Sequence, residues 1–347
     1  MIINIEFKDG KVRFIDTNSL PNRFKIVETT DPDEIVKAIK EMKIRGAPAI
    51  GGASALCLAL VALYKKYSTK EEIRKLIEEY SNKLINARPT AYNMYFAIDR
   101  IKNVLNNEEN LEKIKAKIVE EALKICEEDI EANKKIAIFG EKLIEDNDVI
   151  LTHCNTGALA TIGIGTALGI IAKAAENKKI KVYVTETRPK LQGSRLTAWE
   201  LKKLGIPYKI IPDSAVGIVM KKRMVNKVFV GADRILLDGH VINKIGTLTI
   251  ALIANYYKIP FYVAAPISTI DVKNTIENVK IEERDKEEVI KIKRFYIAPK
   301  DADALNLAFD ITEPELIDAI ITDKGIAFRP VNVNLQKILA LSHNAKL

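Results

Sequence analysis

A histidine, a cysteine and an asparagine stand together in "ILTHCNTGALATIGIGTALGIIAKA", residues 150–174, where a β-rich run gives way to small residues. Val or Ala would serve packing at position 154, so the thiol of Cys154 is a candidate reacting group. The small-residue run predicts a helix through Gly157, whose free amides and macrodipole would favour a thiolate at Cys154. His153 takes a supporting role, orienting its neighbours through a ring hydrogen bond. The second candidate is Asp233, which ends "KVFVGAD". Burial beside an apolar strand would raise the pKa of its carboxyl group and let it donate a proton. Cations form a third group. Arg45 precedes "GAPAIGGASALCLAL", Arg88 precedes "PTAYNMYFAIDRI" and Lys244 precedes "IGTLTIALIANYY". A cation at a helix N-terminus costs up to about 1 kcal/mol. An anion held between cation and amides removes that cost, and a phosphorylated ligand would serve at all three places.

These groups need a frame. From residue 148 the chain alternates strand and helix, with strands expected at "DVILTH", "KIKVYVTE", "YKIIPD", "KVFVGAD" and "FYVAAP". That grammar predicts a parallel sheet covered on both faces. Ligands of such sheets lie beyond the carboxyl ends of the strands, which here carry His153 and Cys154, Glu186, Asp213, Asp233, and Ala265-Pro266. From about 30 to 145 the pattern is helical. Asp31, Pro32 and Glu34 read as a helix start, and Thr69 with Glu72 as a capping box. "MIINIEFKDGKVRFID" reads as a strand pair turning at Asp9-Gly10, not as a signal peptide. The expected fold class is α/β: a mainly helical N-terminal domain, residues 1–130, and a Rossmann-like C-terminal domain with a parallel sheet, residues 131–347. Gly163, Gly165 and Gly169 do not make a dinucleotide fingerprint, because Leu168 takes its third glycine position; they read as close helix packing.

Composition narrows the function. The 347 residues are 48% hydrophobic and 29% charged, a globular balance. The net charge of +8 comes from lysines interleaved with glutamates, as in "KEEIRKLIEEYSNK", and the basic cluster "KKRMVNK" reads as the surface end of a helix. Aromatic residues do not alternate with basic ones, so no nucleic-acid platform is expected, and the positive excess suits an anionic small substrate. Cys57, Cys126 and Cys154 have neither metal nor redox spacing, which points to a reducing, cytoplasmic setting. The charge-free runs Gly46 to Tyr64 and Val149 to Ala172 are diluted by small residues and read as buried helices, not membrane spans. Abundant Lys, Glu and Ile with two glutamines suit a thermophile. Zinc-protease, Walker and serine-hydrolase motifs are absent from the sequence.

In order along the chain, "IRGAPAIGGASA", "ARPTAYNMYFAIDR", "ILTHCNTGALATIGIGTALGII", "ETRPKLQGSRLTAWEL", "VGADRI", "DGHVINKIGT", "PFYVAAPISTID", "IEERD" and "AFDITEPELIDAIITDKG" resemble the methylthioribose-1-phosphate isomerase family of methionine salvage. The resemblance implies a helical domain joined to a Rossmann-like domain, a homodimer, and aldose-to-ketose isomerisation without metal or cofactor. It implies Cys154 and Asp233 as the catalytic pair. It further implies Arg45, Gly46, Ala47, Arg88, Gln192, Asn243 and Lys244 as the residues that bind a phosphorylated pentose. Ser214-Ala215 stands where the family usually has Asn-Met, closer to ribose-1,5-bisphosphate isomerases, and Leu307 stands where it usually has proline. The alternatives are therefore a related isomerase of ribose 1,5-bisphosphate or 5-deoxyribose 1-phosphate, or a regulatory subunit of a translation-initiation guanine-nucleotide exchange factor.

Overall fold

The computed structural model describes residues 2–344. The chain forms two units, one running to Lys134 and including Gly157–Gly165, the other comprising Lys135–Thr156 and the chain from Thr166 onward.

The first unit opens with an antiparallel sheet of β1 (Ile5–Lys8), β2 (Lys11–Ile15) and β3 (Ile26–Thr29). Asp9 and Gly10 turn β1 into β2 with φ of 51° and 75°, the geometry that an Asp-Gly pair favours. Helix α1 (Pro32–Lys40) starts on Asp31, whose carboxylate accepts from the Asp33 amide. Helix α3 (Lys70–Ala87) starts on the Thr69–Glu72 capping box. Between them, α2 (Ala47–Tyr64) is buried from Ala47 to Ala62 and packs on α1, α3 and α4 (Tyr92–Asn106). It is long and apolar enough to cross a membrane, and here it is the core helix of this unit. Helix α5 (Leu111–Gly140) contains the boundary with the second unit.

The second unit is a seven-stranded sheet. Its elements are β4 (Val149–Thr152), α6 (Ala167–Ala175), β5 (Lys181–Thr185), α7 (Ala198–Leu204), β6 (Tyr208–Ile211), α8 (Val216–Lys221) and β7 (Lys227–Val230). After two short strands, β8 (Arg234–Leu236) and β9 (Val241–Lys244), come α9 (Thr247–Tyr257) and β10 (Phe261–Ala264). Then follow β11 (Ile270–Asp271), α10 (Glu287–Ile290), β12 (Lys291–Ile292), β13 (Phe295–Tyr296), β14 (Phe309–Thr312), β15 (Ala319–Thr322), β16 (Gly325–Phe328) and α11 (Val331–Asn344). The order is β16-β15-β10-β7-β4-β5-β6, with only β16 antiparallel to its neighbour. All five strands read from the sequence are present. The hairpin β15–β16 and the second sheet, β11-β8-β9-β14, were not legible as strands. The chain runs from β4 outward to β6, then returns to the other side of β4 with β7, β10 and β15. Its topological switch point therefore lies between β4 and β7, where open α/β sheets place their ligands.

The helix expected through Gly157 is not formed. Gly157 and Gly165 pair as an antiparallel bridge, Ala158–Ala160 make one 3-10 turn, and α6 begins only at Ala167. Other hydrogen bonds, several of them to side chains, replace the helical backbone ones. The Ile162 amide donates 2.8 Å to Asp129 Oδ2, and the Gly165 amide donates 3.1 Å to Thr161 Oγ1. Thr156 accepts the Thr166 amide at its carbonyl (2.8 Å) and the Leu168 amide at its Oγ1 (3.2 Å), so it caps α6 across the excursion. Gly163 thus packs in a loop, against Ile130 and Asn133, and not in a helix.

Candidate active site

Cys154 and Asp233 follow the carboxyl ends of β4 and β7, the neighbouring parallel strands that flank the switch point. Cys154 is buried and has φ 61°, a left-handed conformation that is strained for a residue with a β-carbon. It precedes an irregular segment, so the helix macrodipole invoked for a thiolate is not available there. Its amide donates to Thr187 Oγ1 (2.9 Å) and its carbonyl accepts from Thr197 Oγ1 (2.6 Å). Asp233 is half-buried, not enclosed as the apolar strand before it suggested. Among the described residues its carboxylate has no hydrogen-bond or ion-pair partner, while its amide donates to the Ile242 carbonyl at 3.0 Å.

His153 has the orienting role expected of it. Its Nε2 lies 2.9 Å from the Ile245 carbonyl, which only accepts, so Nε2 carries the proton. Its Nδ1 then accepts from Thr185 Oγ1 at 2.6 Å. Burial pushes the His153 pKa down to about 4, in keeping with a neutral ring. The hydrogen bond to Ile245 ties the Cys154 segment to the residue that follows Lys244. Gly246, next along, approaches so closely that a β-carbon there would lie 3.2 Å from His153 Cε1.

The binding residues expected in this unit lie on the same segments. Asn243 is buried on β9, its Nδ2 donating to Thr247 Oγ1 (3.0 Å). Lys244 is buried, with Nζ donating to the Ala308 carbonyl (2.8 Å) and standing 4.4 Å from the Phe309 ring centre. Gln192 is buried before a π-turn, Gly193–Thr197, and its Oε1 has no partner among the described residues. Gly193 is required there, because a β-carbon would fall 1.8 Å from the Thr185 carbonyl oxygen.

In the first unit, Arg45, Gly46 and Ala47 form the start of α2, all buried, with Gly46 at φ 91°. Arg88 is buried at the C-terminal cap of α3, three residues before the N-cap of α4. A cation is favoured at a helix C-terminus, so Arg88 alone does not demand an anion.

The sequence pattern of the Initiation factor 2 subunit family matches residues 43–328. The chain belongs to this family. Within it, the chain is 47% identical to the methylthioribose-1-phosphate isomerase of Thermoanaerobacter sp., over 97% of this chain and 99% of that one. Two solved structures cover 98% of the chain. The 5-methylthioribose 1-phosphate isomerase of Pyrococcus horikoshii OT3 is 40% identical with a TM-score of 0.88, over 96% of its own length. A protein of A. fulgidus named as translation initiation factor eIF-2B, subunit delta, is 43% identical with a TM-score of 0.85, over its full length.

For this member of the family, sequence reasoning missed the residues that hold the site. It singled out Glu186 and Asp213 as acids at strand ends. Both oxygens of Asp213 are occupied, accepting from the amides of Thr187 (2.8 Å) and Arg188 (2.7 Å). The residue that reaches Cys154 is Thr187, one beyond Glu186, and only the strand-end position hinted at it. Asp310 was also missed. Its Oδ2 accepts from the amides of Gly246 (2.7 Å) and Leu248 (3.1 Å) at the start of α9, and burial pushes its pKa up to about 6.

Proposed function

We propose that this chain is an aldose-ketose isomerase that converts 5-methylthioribose 1-phosphate into 5-methylthioribulose 1-phosphate in methionine salvage. The observation that carries the reading is the placement of a strained cysteine and an uncommitted carboxylate at one switch point. The family to which the chain belongs, and its 47% identity to a named isomerase, supply the substrate. The phosphate on the anomeric oxygen locks the sugar ring, so the ring must open before hydrogen passes from C2 to C1. A carboxyl group with no partner among the described residues is suited to protonate the ring oxygen, the role given to Asp233. Cys154 acts at C2, as a base or as a polar support. Arg45, Gly46, Ala47, Arg88, Gln192, Asn243 and Lys244 bind the sugar phosphate. The expected assembly is a cytoplasmic homodimer with a helical and a Rossmann-like domain, which light scattering and fractionation of the native host would test.

Incubation with 5-methylthioribose 1-phosphate, ribose 1,5-bisphosphate and 5-deoxyribose 1-phosphate, followed by ketose detection, is expected to show turnover of the first. Preference for either of the others would reassign the substrate. Turnover of none would favour the regulatory reading, which the similarity to the A. fulgidus initiation-factor subunit motivates. Asp233→Asn is expected to abolish turnover while substrate still binds. A variant keeping more than about a tenth of wild-type kcat, a loss under ~1.4 kcal/mol, removes Asp233 from the acid role. Turnover in deuterium oxide separates the hydrogen routes: deuterium at C1 of the ketose indicates an exchanging base.

A further inference from the structure

Left-handed backbone at a residue with a β-carbon persists only where the surroundings impose it. At Cys154 the imposing groups are three threonines and an aspartate. Thr187 Oγ1 donates its own proton to the Thr185 carbonyl (3.2 Å), which leaves a lone pair for the Cys154 amide. Thr187 is itself left-handed, φ 63°, and the Asp213 carboxylate holds its amide and the next one. From the other side Thr197, at the end of the π-turn, donates to the Cys154 carbonyl. Thr185, Thr187 and Thr197 are completely buried, so water does not substitute for these bonds. The backbone angle of Cys154 sets the direction of its Cα–Cβ bond, and thus where the thiol stands.

We infer that Thr187, anchored by Asp213, and Thr197 are positioning residues that aim the Cys154 thiol. The inference rests on the proposed role of Cys154 in the reaction. Replacing Thr187 by Val keeps its volume and removes the acceptor; Ser keeps the acceptor. The same pair is made at Thr197, where Val removes the donor. Each variant is assayed for kcat and KM, and Cys154 is followed by iodoacetamide alkylation and peptide mass spectrometry across a pH series.

Misplacing a reacting group by an ångström costs on the order of 100-fold, so Thr187→Val is expected to lower kcat by about that factor with KM within about threefold. Its alkylation profile at Cys154 is expected to differ from wild type, while Thr187→Ser restores both. A Thr187→Val protein with wild-type kcat and alkylation, or a Thr187→Ser protein as impaired as the valine variant, overturns the proposal. If Thr187→Val does not fold, the Thr197 pair decides by the same criteria. If the wild type isomerises no sugar phosphate, the function reading fails by itself, and the alkylation profiles still decide whether the threonines aim the thiol.

Discussion

Helices α2 and α9 begin alike and are completed differently. Each follows a basic residue and a left-handed glycine, Arg45 with Gly46 (φ 91°) and Lys244 with Gly246 (φ 101°). At α9 an anion is already present: Asp310, from β14, accepts two of the first amides, and Lys244 donates to the neighbouring Ala308 carbonyl. At α2 the first turn holds no acidic residue, and among the described residues no side chain accepts from the amides of Ala47 or Ala49. The same local sequence pattern thus stands at both starts without saying whether the fold supplies an anion. In one case the fold supplies a carboxylate from a strand more than sixty residues away. In the other no side chain among the described residues takes the Ala47 and Ala49 amides, and a phosphate would gain most there.

The sharpest way to separate the two starts is to add one methyl group to each glycine. A β-carbon on Gly46 would fall 2.4 Å from the Ala160 carbonyl oxygen, which is backbone and cannot turn aside. Gly46→Ala is expected to cost more than about 3 kcal/mol in denaturant unfolding, from the left-handed angle plus that clash. Gly246→Ala meets only the His153 ring and belongs at the other end of the scale.

Next in size is Arg45→Ala. If the α2 start holds the substrate phosphate, KM should rise about 10- to 100-fold with kcat within about threefold, because phosphate contacts are made in ground and transition states alike. An unchanged KM in a folded variant places the anion elsewhere and breaks the contrast.

Asp310→Asn tests the other start through pH. The raised pKa of Asp310 means its ionisation opposes folding: its contribution is fully present below about pH 4 and lost as pH rises through about 6. His153 has the opposite sign. Its lowered pKa gives stability present above about 6.5 and lost as pH falls through about 4. The two oppose each other in one window, each by about 2 kcal/mol between pH 7 and 4.5. Asp310→Asn removes one side, so the variant should lose about 2 kcal/mol more than wild type over that interval in urea unfolding. Equal losses would show that Asp310 does not titrate as a buried carboxyl.

The smallest effect expected is for Gly246→Ala, about 1–2 kcal/mol, mostly for the left-handed angle, since the added β-carbon would meet a side-chain ring at 3.2 Å and not backbone. A cost matching that of Gly46→Ala would mean that the two starts are equally rigid.

Much of the frame was legible because its causes are local. β-branched runs marked β4, β5, β6, β7 and β10, the Asp-Gly pair marked the hairpin, and Asp31 and Thr69 marked helix starts. Strand ends then located Cys154 and Asp233 without knowledge of which strands were neighbours. Pairing β4 with β7 was beyond local pattern, because strand order depends on contacts across the chain. The run after Cys154 has the composition of a helix throughout, yet it becomes one only at Ala167. Its amides at Ile162, Gly165 and Leu168 are taken by the side chains of Asp129, Thr161 and Thr156, and helical composition does not reveal which side chains will take them. For the same reason the left-handed turn at Cys154 was invisible: nothing in "THCNT" requires it, and Thr187, Thr197 and Asp213 impose it from elsewhere in the chain. Residue types and periodicity determined which groups could react and which segments would carry them. Tertiary hydrogen bonding among buried threonines and the half-buried Asp213 decided the conformation in which the thiol is held, because a buried polar group must find its partner wherever the fold brings one.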